Sequence, residues 1–271
     1  MRGTSSASLR EVVRDAEGTF RDPGAPLERI ADELFATLGV IDSSNRLVRL
    51  VSDGGMPVDV RRAAVGDLLE GRVDGATLRI VQDVVAHRWS EQEDVLDALE
   101  RLGVLALLER ADRDGDLERV EEDLFSISRL IATTPGLSAA FDATRDRPAE
   151  RGGILRRLLD GRVAPVALAL ASQAVSRRSE AKPSRRVLDL AEFASERRRR
   201  LLAVVGSSRP LSEAQRARLG SILDGIYGRP VQMNFEITPD VIGGLRIQVG
   251  DDLYDATVLA RLHQARERLA S

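Results

Sequence analysis

Leu27-Glu-Arg-Ile-Ala-Asp-Glu-Leu-Phe35 returns as Leu117-Glu-Arg-Val-Glu-Glu-Asp-Leu-Phe125, displaced by 90 positions. Leu68-Leu-Glu-Gly-Arg-Val73 returns as Leu158-Leu-Asp-Gly-Arg-Val163 at the same displacement. Separate matches at one offset point to a duplicated unit. A further echo, Val95-Leu-Asp-Ala-Leu99 against Val187-Leu-Asp-Leu-Ala191, slips by two residues, as a loop insertion would cause. The period is too long for the common solenoid repeats, so the reading is two small domains. In each copy the apolar positions follow the helical period: Leu27, Ile30, Leu34 and Leu38, then Leu117, Val120, Leu124, Ile127 and Ile131. Such stripes have to be buried against neighbours, which makes each copy a helical bundle. The breaks at 22–26, 53–57, 134–136 and 147–148 are Pro, Gly and Asp turn chemistry. Residues 106–111 serve as the last helix of copy one, the first of copy two, or their junction; the spacing leaves all three open.

Composition agrees with packed helices. The chain has 271 residues, long for one domain, with 43% apolar but only 3% aromatic residues. Abundant Leu, Ala, Glu and Arg lose little rotamer freedom in a helix. A net charge of −3 gives no global pull toward nucleic acid or an anionic membrane. Without cysteine there is no disulfide, thiolate metal site or cysteine nucleophile. No signal-like start is present, and the longest apolar run, Val163 to Val175, is broken by Pro165, Ser172 and Gln173. The expected location is cytoplasmic.

After Arg197–Arg200 the pattern changes. Leu201 to Val205 is short, branched and bounded by Gly206, which reads as a strand. Ser212 with Gln215 forms a capping box opening a helix whose Leu219, Ile222, Leu223 and Ile226 share a face. Val231, Met233, Phe235 and Ile237 then alternate with polar residues, as do Leu245, Ile247 and Val249: two half-buried strands. A turn at Gly250-Asp251-Asp252 leads into Leu253-Tyr254, and Val258, Leu262, Ala265 and Leu269 share one face of a closing helix. The expected fold is therefore mainly α, with helical bundles over 1–105 and 106–200 and a small α+β domain over 201–271.

The run Ile237-Thr-Pro-Asp-Val-Ile-Gly-Gly-Leu-Arg-Ile-Gln-Val-Gly-Asp-Asp-Leu-Tyr-Asp-Ala-Thr-Val258, followed by Arg261-Leu262, resembles the C-terminal signature of the F-type ATP synthase delta subunit. The mitochondrial counterpart of that family is the oligomycin-sensitivity-conferring protein. Gly243, Gly244, Gly250, Asp251, Asp255, Arg261 and Leu262 fall on matching positions. Residues 106–124 look like the family's first two helices, so the resemblance covers roughly Leu105 to the end. Gln248, Thr257 and Leu259 depart from residues common in relatives, and a second helical copy is unusual. The resemblance implies a non-catalytic stator without cofactor. Its helical domain would grip N-terminal helices of the alpha subunits, and its C-terminal domain would bind the b subunits. It would thus tie the α3β3 head to the peripheral stalk on the cytoplasmic face of the cell membrane, touching the membrane only through the complex. Copy two directly precedes the tail, as in single-copy relatives. Leu105, Leu108, Leu168 and Val175 are accordingly the candidates for gripping alpha, against a plain reading as core leucines and valine.

Other chemistries fit less well. Gly243-Gly244 opens a strand rather than a helix, and the only lysine, Lys182, is remote, so a phosphate cradle is not indicated. Asp112-Arg-Asp-Gly-Asp116 has the wrong glycine spacing for a calcium loop; Gly115 reads as a helix end with Asp116 capping the next helix. His87 and His263, the only histidines, join no catalytic constellation, and His87 reads as a helix-end residue. The arginines at 177, 178, 185, 186 and 197–200 lack the aromatic partners of an RNA site and read as a solvated or acid-facing helix surface. The competing function is a helical adaptor of a regulatory or transcriptional assembly, with the α+β tail as its dimerisation module.

Overall fold

A computed structural model describes residues 3–144, 147, 149–177, 181–199, 202–227, 231–238, 243–249 and 252–255. The fold is mainly α with a small sheet near the C-terminus. The first helices are α1 (Thr4–Phe20), α2 (Leu27–Asp42), α3 (Asn45–Ser52), α4 (Val58–Leu69), α5 (Gly75–Ala86) and α6 (Gln92–Arg113). They are followed by α7 (Leu117–Thr133), α8 (Pro135–Ala143), α9 (Ala149–Leu159), α10 (Pro165–Ser176) and α11 (Pro183–Arg199). Helices α2, α3 and α5 begin 90 residues before α7, α8 and α10, the displacement of the sequence repeat.

The repeat extends to individual bonds. Gly71 and Gly161, at φ 72° and 70°, turn the chain after α4 and α9 in a conformation that side chains with a Cβ resist. Arg72 N–H then donates to Leu69 O, and Arg162 N–H to Leu159 O, each at 2.9 Å. Glu33 Oε2 accepts from Asp74 N–H at 2.8 Å and from Thr77 Oγ at 2.6 Å, satisfying the start of α5. Asp123, its counterpart, accepts from Ala164 N–H at 2.6 Å at the start of α10. Burial works to raise the Glu33 carboxyl, but bonds from Thr77, Arg29 and the Asp74 N–H outweigh it and hold the group below its ordinary range. The folded carboxylate therefore takes up its proton at lower pH than the unfolded one. Its stabilisation is present at neutral pH and disappears as the pH falls through that lowered value. Glu33→Ala is expected to cost about 2 kcal/mol at neutral pH. In thermal melts at decreasing pH, the gap between variant and wild type should close; a gap independent of pH would contradict this account.

Helix α6 has two roles. As the last helix of copy one it is equivalent to α11, and as the first helix of copy two it is equivalent to α1, whose span shifted by 90 falls inside α6. Helix α1 buries one stripe, Ser5, Ser8, Val12, Ala16 and Phe20. In α6 the equivalents of the first four, Val95, Ala98, Leu102 and Ala106, are fully buried, while that of Phe20 is the exposed Arg110. Helix α6 also buries Leu96, Leu99, Gly103 and Leu107, whose equivalents in α1, Ser6, Leu9, Val13 and Glu17, are only half-buried. Gly103 sits under the ring of Phe35 in α2, closer than a side chain there would permit. From Leu102 to Glu109 every residue of α6 is buried. The expected division between 105 and 106 thus falls inside one continuous helix. By contacts, Met1–Leu190 is one compact unit and Ala191–Ser271 a second, with the boundary inside α11. At the end of α6, Gly115 takes φ 74° as expected, but the Asp116 side chain makes no cap bond to α7.

In the second unit β1 (Leu202–Ser207), α12 (Glu213–Tyr227), β2 (Gln232–Ile237), β3 (Leu245–Val249) and β4 (Asp252–Asp255) build a four-stranded sheet in the order β2-β1-β3-β4. Strands β1 and β2 are parallel through α12; β1–β3 and β3–β4 are antiparallel. The Ser212–Gln215 capping box is present, with Gln215 N–H donating to Ser212 Oγ at 3.3 Å and Ser212 N–H to Gln215 Oε1 at 2.9 Å. The core of this unit is Ala203, Val205, Leu219, Leu223, Val231, Ile247 and Val249. Met233, Phe235 and Leu245 pack partly buried against it, whereas Ile222 and Ile226 are 49% and 54% exposed on α12 and Ile237 is 65% exposed at the end of edge strand β2. Helix α12 meets the sheet with only part of its circumference, so Leu219 and Leu223 take the inner face and the flanking isoleucines are left outside. The proposed closing helix with Val258, Leu262, Ala265 and Leu269 lies outside the described residues.

Candidate functional site

Leu105 and Leu108 lie on α6, and Leu168 and Val175 on α10, two helices that pack on each other. All four are buried, at 4%, 0%, 9% and 1% exposure. They belong to the layer under the surface; what α10 offers to solvent is the half-buried row Val166, Ala169, Gln173 and Ser176, spaced along one helical face. Pro165–Ser176 contains no charged residue. The corresponding row on α5 is Ala76, Arg79, Asp83 and Ala86, which carries both a cation and an anion. Burial pushes the Asp83 carboxyl above its ordinary range, the marker of a charge that gains nothing from further desolvation.

One end of the α10 face is fixed by arginine. The Arg177 side chain, 10% exposed, pairs with Asp97 and Glu100 of α6 at 2.5 Å each, and Arg186 of α11 reaches Glu100 at 2.6 Å. Burial alone would lower the Arg177 pKa, but Glu100 and Asp97 raise it instead, so the guanidinium is a permanent charge. Of the two expectations for these arginines, a solvated face or contact with acids, Arg177 and Arg186 follow the second, with the acids supplied by the same bundle. In copy one the equivalent position is His87, whose Nε2 lies 3.3 Å from Glu11 of α1 and whose Nδ1 lies 2.9 Å from the Asp83 carbonyl. The same post thus ties the fifth helix of each copy to its first.

In the tail, Gly243 and Gly244 adopt φ 70° and 83° where the chain enters β3, the conformational reason for paired glycines there. Asp255 pairs with Arg246 across the β3–β4 hairpin at 3.3 Å, an exposed pair worth little energetically. Gly250, Asp251, Arg261 and Leu262 lie outside the described residues. Leu253 joins Ile222, Ile226 and Ile237 as exposed apolar residues of this unit. Among the described residues no group of three potential metal ligands is present, and Asp114 is paired to Arg110 at 2.6 Å. No helix among them is long and apolar enough to cross a membrane.

The free row on α10 was missed from the sequence, although its signal was visible. Leu168 and Val175 of the charge-free stretch 163–175 are among the sequence candidates, but they lie on the buried face of α10 and the row lies on the other.

The sequence model described as ATP synthase delta (OSCP) subunit matches residues 104–269, beginning inside α6. The ATP synthase subunit delta of Beutenbergia cavernae is 38% identical over 271 residues, covering 100% of both chains. That of Thermobifida fusca is 36% identical over 275 aligned positions, again covering 100% of both. That of Frankia alni is 37% identical over 258 positions, 93% of each. The full-length relatives therefore align with copy one as well as with the matched region.

Proposed function

Because the chain belongs to the ATP synthase delta (OSCP) subunit family, and is thereby a stator subunit of that complex, we propose that it ties the catalytic head to the b subunits through two different faces. The charge-free face of α10, beside α6, receives an N-terminal helix of the alpha subunit, and the α+β tail from residue 202 receives the ends of the b subunits. The chain then lies on the cytoplasmic face of the membrane, held there by its partners, and carries no chemistry of its own. Rotor torque would otherwise spin the head; holding it still lets torque change the catalytic sites.

The row Val166, Ala169, Gln173 and Ser176 carries this reading. An amphipathic helix laid on it buries apolar and small uncharged groups, with no ion to desolvate. The same helix on α5 would have to cover Arg79 and Asp83, and burying a charge without a designed partner costs more than the apolar contact returns. The test is titration of the full chain with a synthetic peptide of the alpha-subunit N-terminus. Ala169→Glu, on a half-exposed position, should leave the melting temperature near wild type and weaken binding by ~10-fold or more, about 1.4 kcal/mol. Unchanged affinity in Ala169→Glu would overturn the assignment to α10.

A further inference from the structure

We infer that copy one is a brace: it holds α6, the helix beside the proposed alpha-binding face, from behind, and does not itself bind an alpha helix. The inference rests on the reading of the α10 face given above. It concerns what the duplicated copy does for that face.

The starting point is the difference between α1 and α6. Both are first helices of a bundle and both bury the same stripe over its first four positions. In α1 the adjoining stripe, Ser6, Leu9, Val13 and Glu17, remains half-exposed. In α6 the equivalent stripe, Leu96, Leu99, Gly103 and Leu107, is covered, and Phe35 of α2 is the residue lying over Gly103. Copy one thus occupies the side of α6 that the first helix of an isolated bundle leaves to water.

Further ties hold the same helix at both ends. Near its start, the Ser5 hydroxyl of α1 donates to Asp94 at 2.5 Å and accepts from Ser90 N–H at 2.7 Å. At its other end, Arg113 donates to the carbonyls of Phe20, Asp22 and Pro23 in the α1–α2 connection. From the copy-two side Arg177 and Arg186 close on Asp97 and Glu100. A helix held along two faces and at both ends cannot roll or fray when a ligand helix arrives. The ordering cost of binding is then met on folding, and the gain appears in the dissociation rate. The charges of Arg79 and Asp83 on copy one's own fifth helix fit this division of labour: the face that would compete for the ligand is the charged one.

The experiment uses the full chain and the alpha N-terminal peptide, with amide exchange across α6 and binding kinetics measured together. Phe35 is only half-buried, so Phe35→Ala should leave the chain folded while removing the ring over Gly103. Faster exchange in α6 and peptide dissociation raised by ~10-fold, at little-changed association rate, are expected. The pair Phe35→Ala with Gly103→Leu refills the space from the α6 side and should restore both. Arg79→Ala with Asp83→Ala should change neither rate nor stoichiometry. Dissociation unchanged despite faster exchange in α6 overturns the brace, as does exchange unchanged by Phe35→Ala. A second peptide site lost in the Arg79/Asp83 variant overturns it as well. A wild-type chain that does not bind the peptide removes the α10 site instead, and the exchange data still decide whether copy one steadies α6.

Discussion

Produced as separate chains, residues 1–105 and the helical part of 106–271 are expected to lack a cooperative fold, whereas in residues 92–271 that part folds. The cut at 105 passes through α6 where every residue is buried. Fragment 106–271 loses Val95, Ala98, Leu102, Val104 and Leu105, each at most 4% exposed. At ~2 kcal/mol for each large side chain this is ~8 kcal/mol, comparable to the whole stability of an ordinary domain. Fragment 1–105 loses Ala106, Leu107, Leu108 and Ala111 together with the Arg113 ties to the α1–α2 connection. Restoring residues 92–105 returns the first helix of copy two. The price is an uncovered stripe at Leu96, Leu99 and Leu107, so that fragment should fold but self-associate. Circular dichroism melts and amide-proton dispersion distinguish the cases. A sigmoidal unfolding transition from 1–105 alone would mean that copy one does not depend on the rest of α6.

The second large effect is expected at neighbouring glycines in α9, with opposite signs. A Cβ on Gly152 would collide with the Ser176 hydroxyl and come within 2.9 Å of the Ser172 carbonyl oxygen on α10. The hydroxyl can turn away, but the carbonyl belongs to the α10 backbone, so the two helices must separate. Leu155, with no exposure one turn along, loses contact as they do. Gly152→Ala should therefore cost about 2–3 kcal/mol, lowering Tm by roughly 4–10 °C for a chain of this size. Nothing lies within 4 Å of a Cβ on Gly153, and Gly153→Ala should stabilise by about 0.5–1 kcal/mol through helix propensity and unfolded-state entropy. Melts of the two variants that shift in the same direction would sink the close-approach account. In copy one the position equivalent to Gly152 is Arg62, which reaches over to the Gln82 carbonyl at 3.4 Å; the tight crossing is a property of copy two alone.

Much of this fold was legible in the residues because the duplication supplied its own control. Chance apolar periodicity does not repeat at one offset, and the paired turns at Gly71 and Gly161 follow from the same match. The tail was legible because alternation has a period that only a half-buried strand explains, and the glycines at 243 and 244 mark a φ that few other residues accept. Helix α6 resisted reading for a physical reason. Over 102–109 it is buried on every side, so that stretch lacks the polar face whose periodicity identifies an amphipathic helix. That is why residues 106–111 fitted three roles at once; the structure gives them two. Helix α1 was missed for the opposite reason: its buried stripe relies on Ser5, Ser8 and Ala16, small residues that carry little hydrophobic signal. Ile222 and Ile226 were legible as helical but not as exposed, since one sequence does not distinguish a core stripe from a docking stripe. Leu105, Leu108, Leu168 and Val175 raised the same ambiguity, and their burial puts the accessible row one layer out, at Val166, Ala169 and Gln173. The inward arginines needed a partner more than 75 positions away in sequence, Glu100, which local spacing never reveals.

Sharing one helix also turns sequence length into an angle. Each residue added to or removed from the middle of α6 would rotate one bundle against the other by about 100° and slide it by about 1.5 Å. Substitutions there are graded by size, but a single-codon insertion is not graded at all: it swings copy two to another side of copy one. An insertion of seven residues would return the bearing to within about 20° while displacing the bundle by about 10 Å. Over α6, then, lineages that keep both bundles should vary in residue identity but hold their count, and chain-length differences should collect in the turns instead.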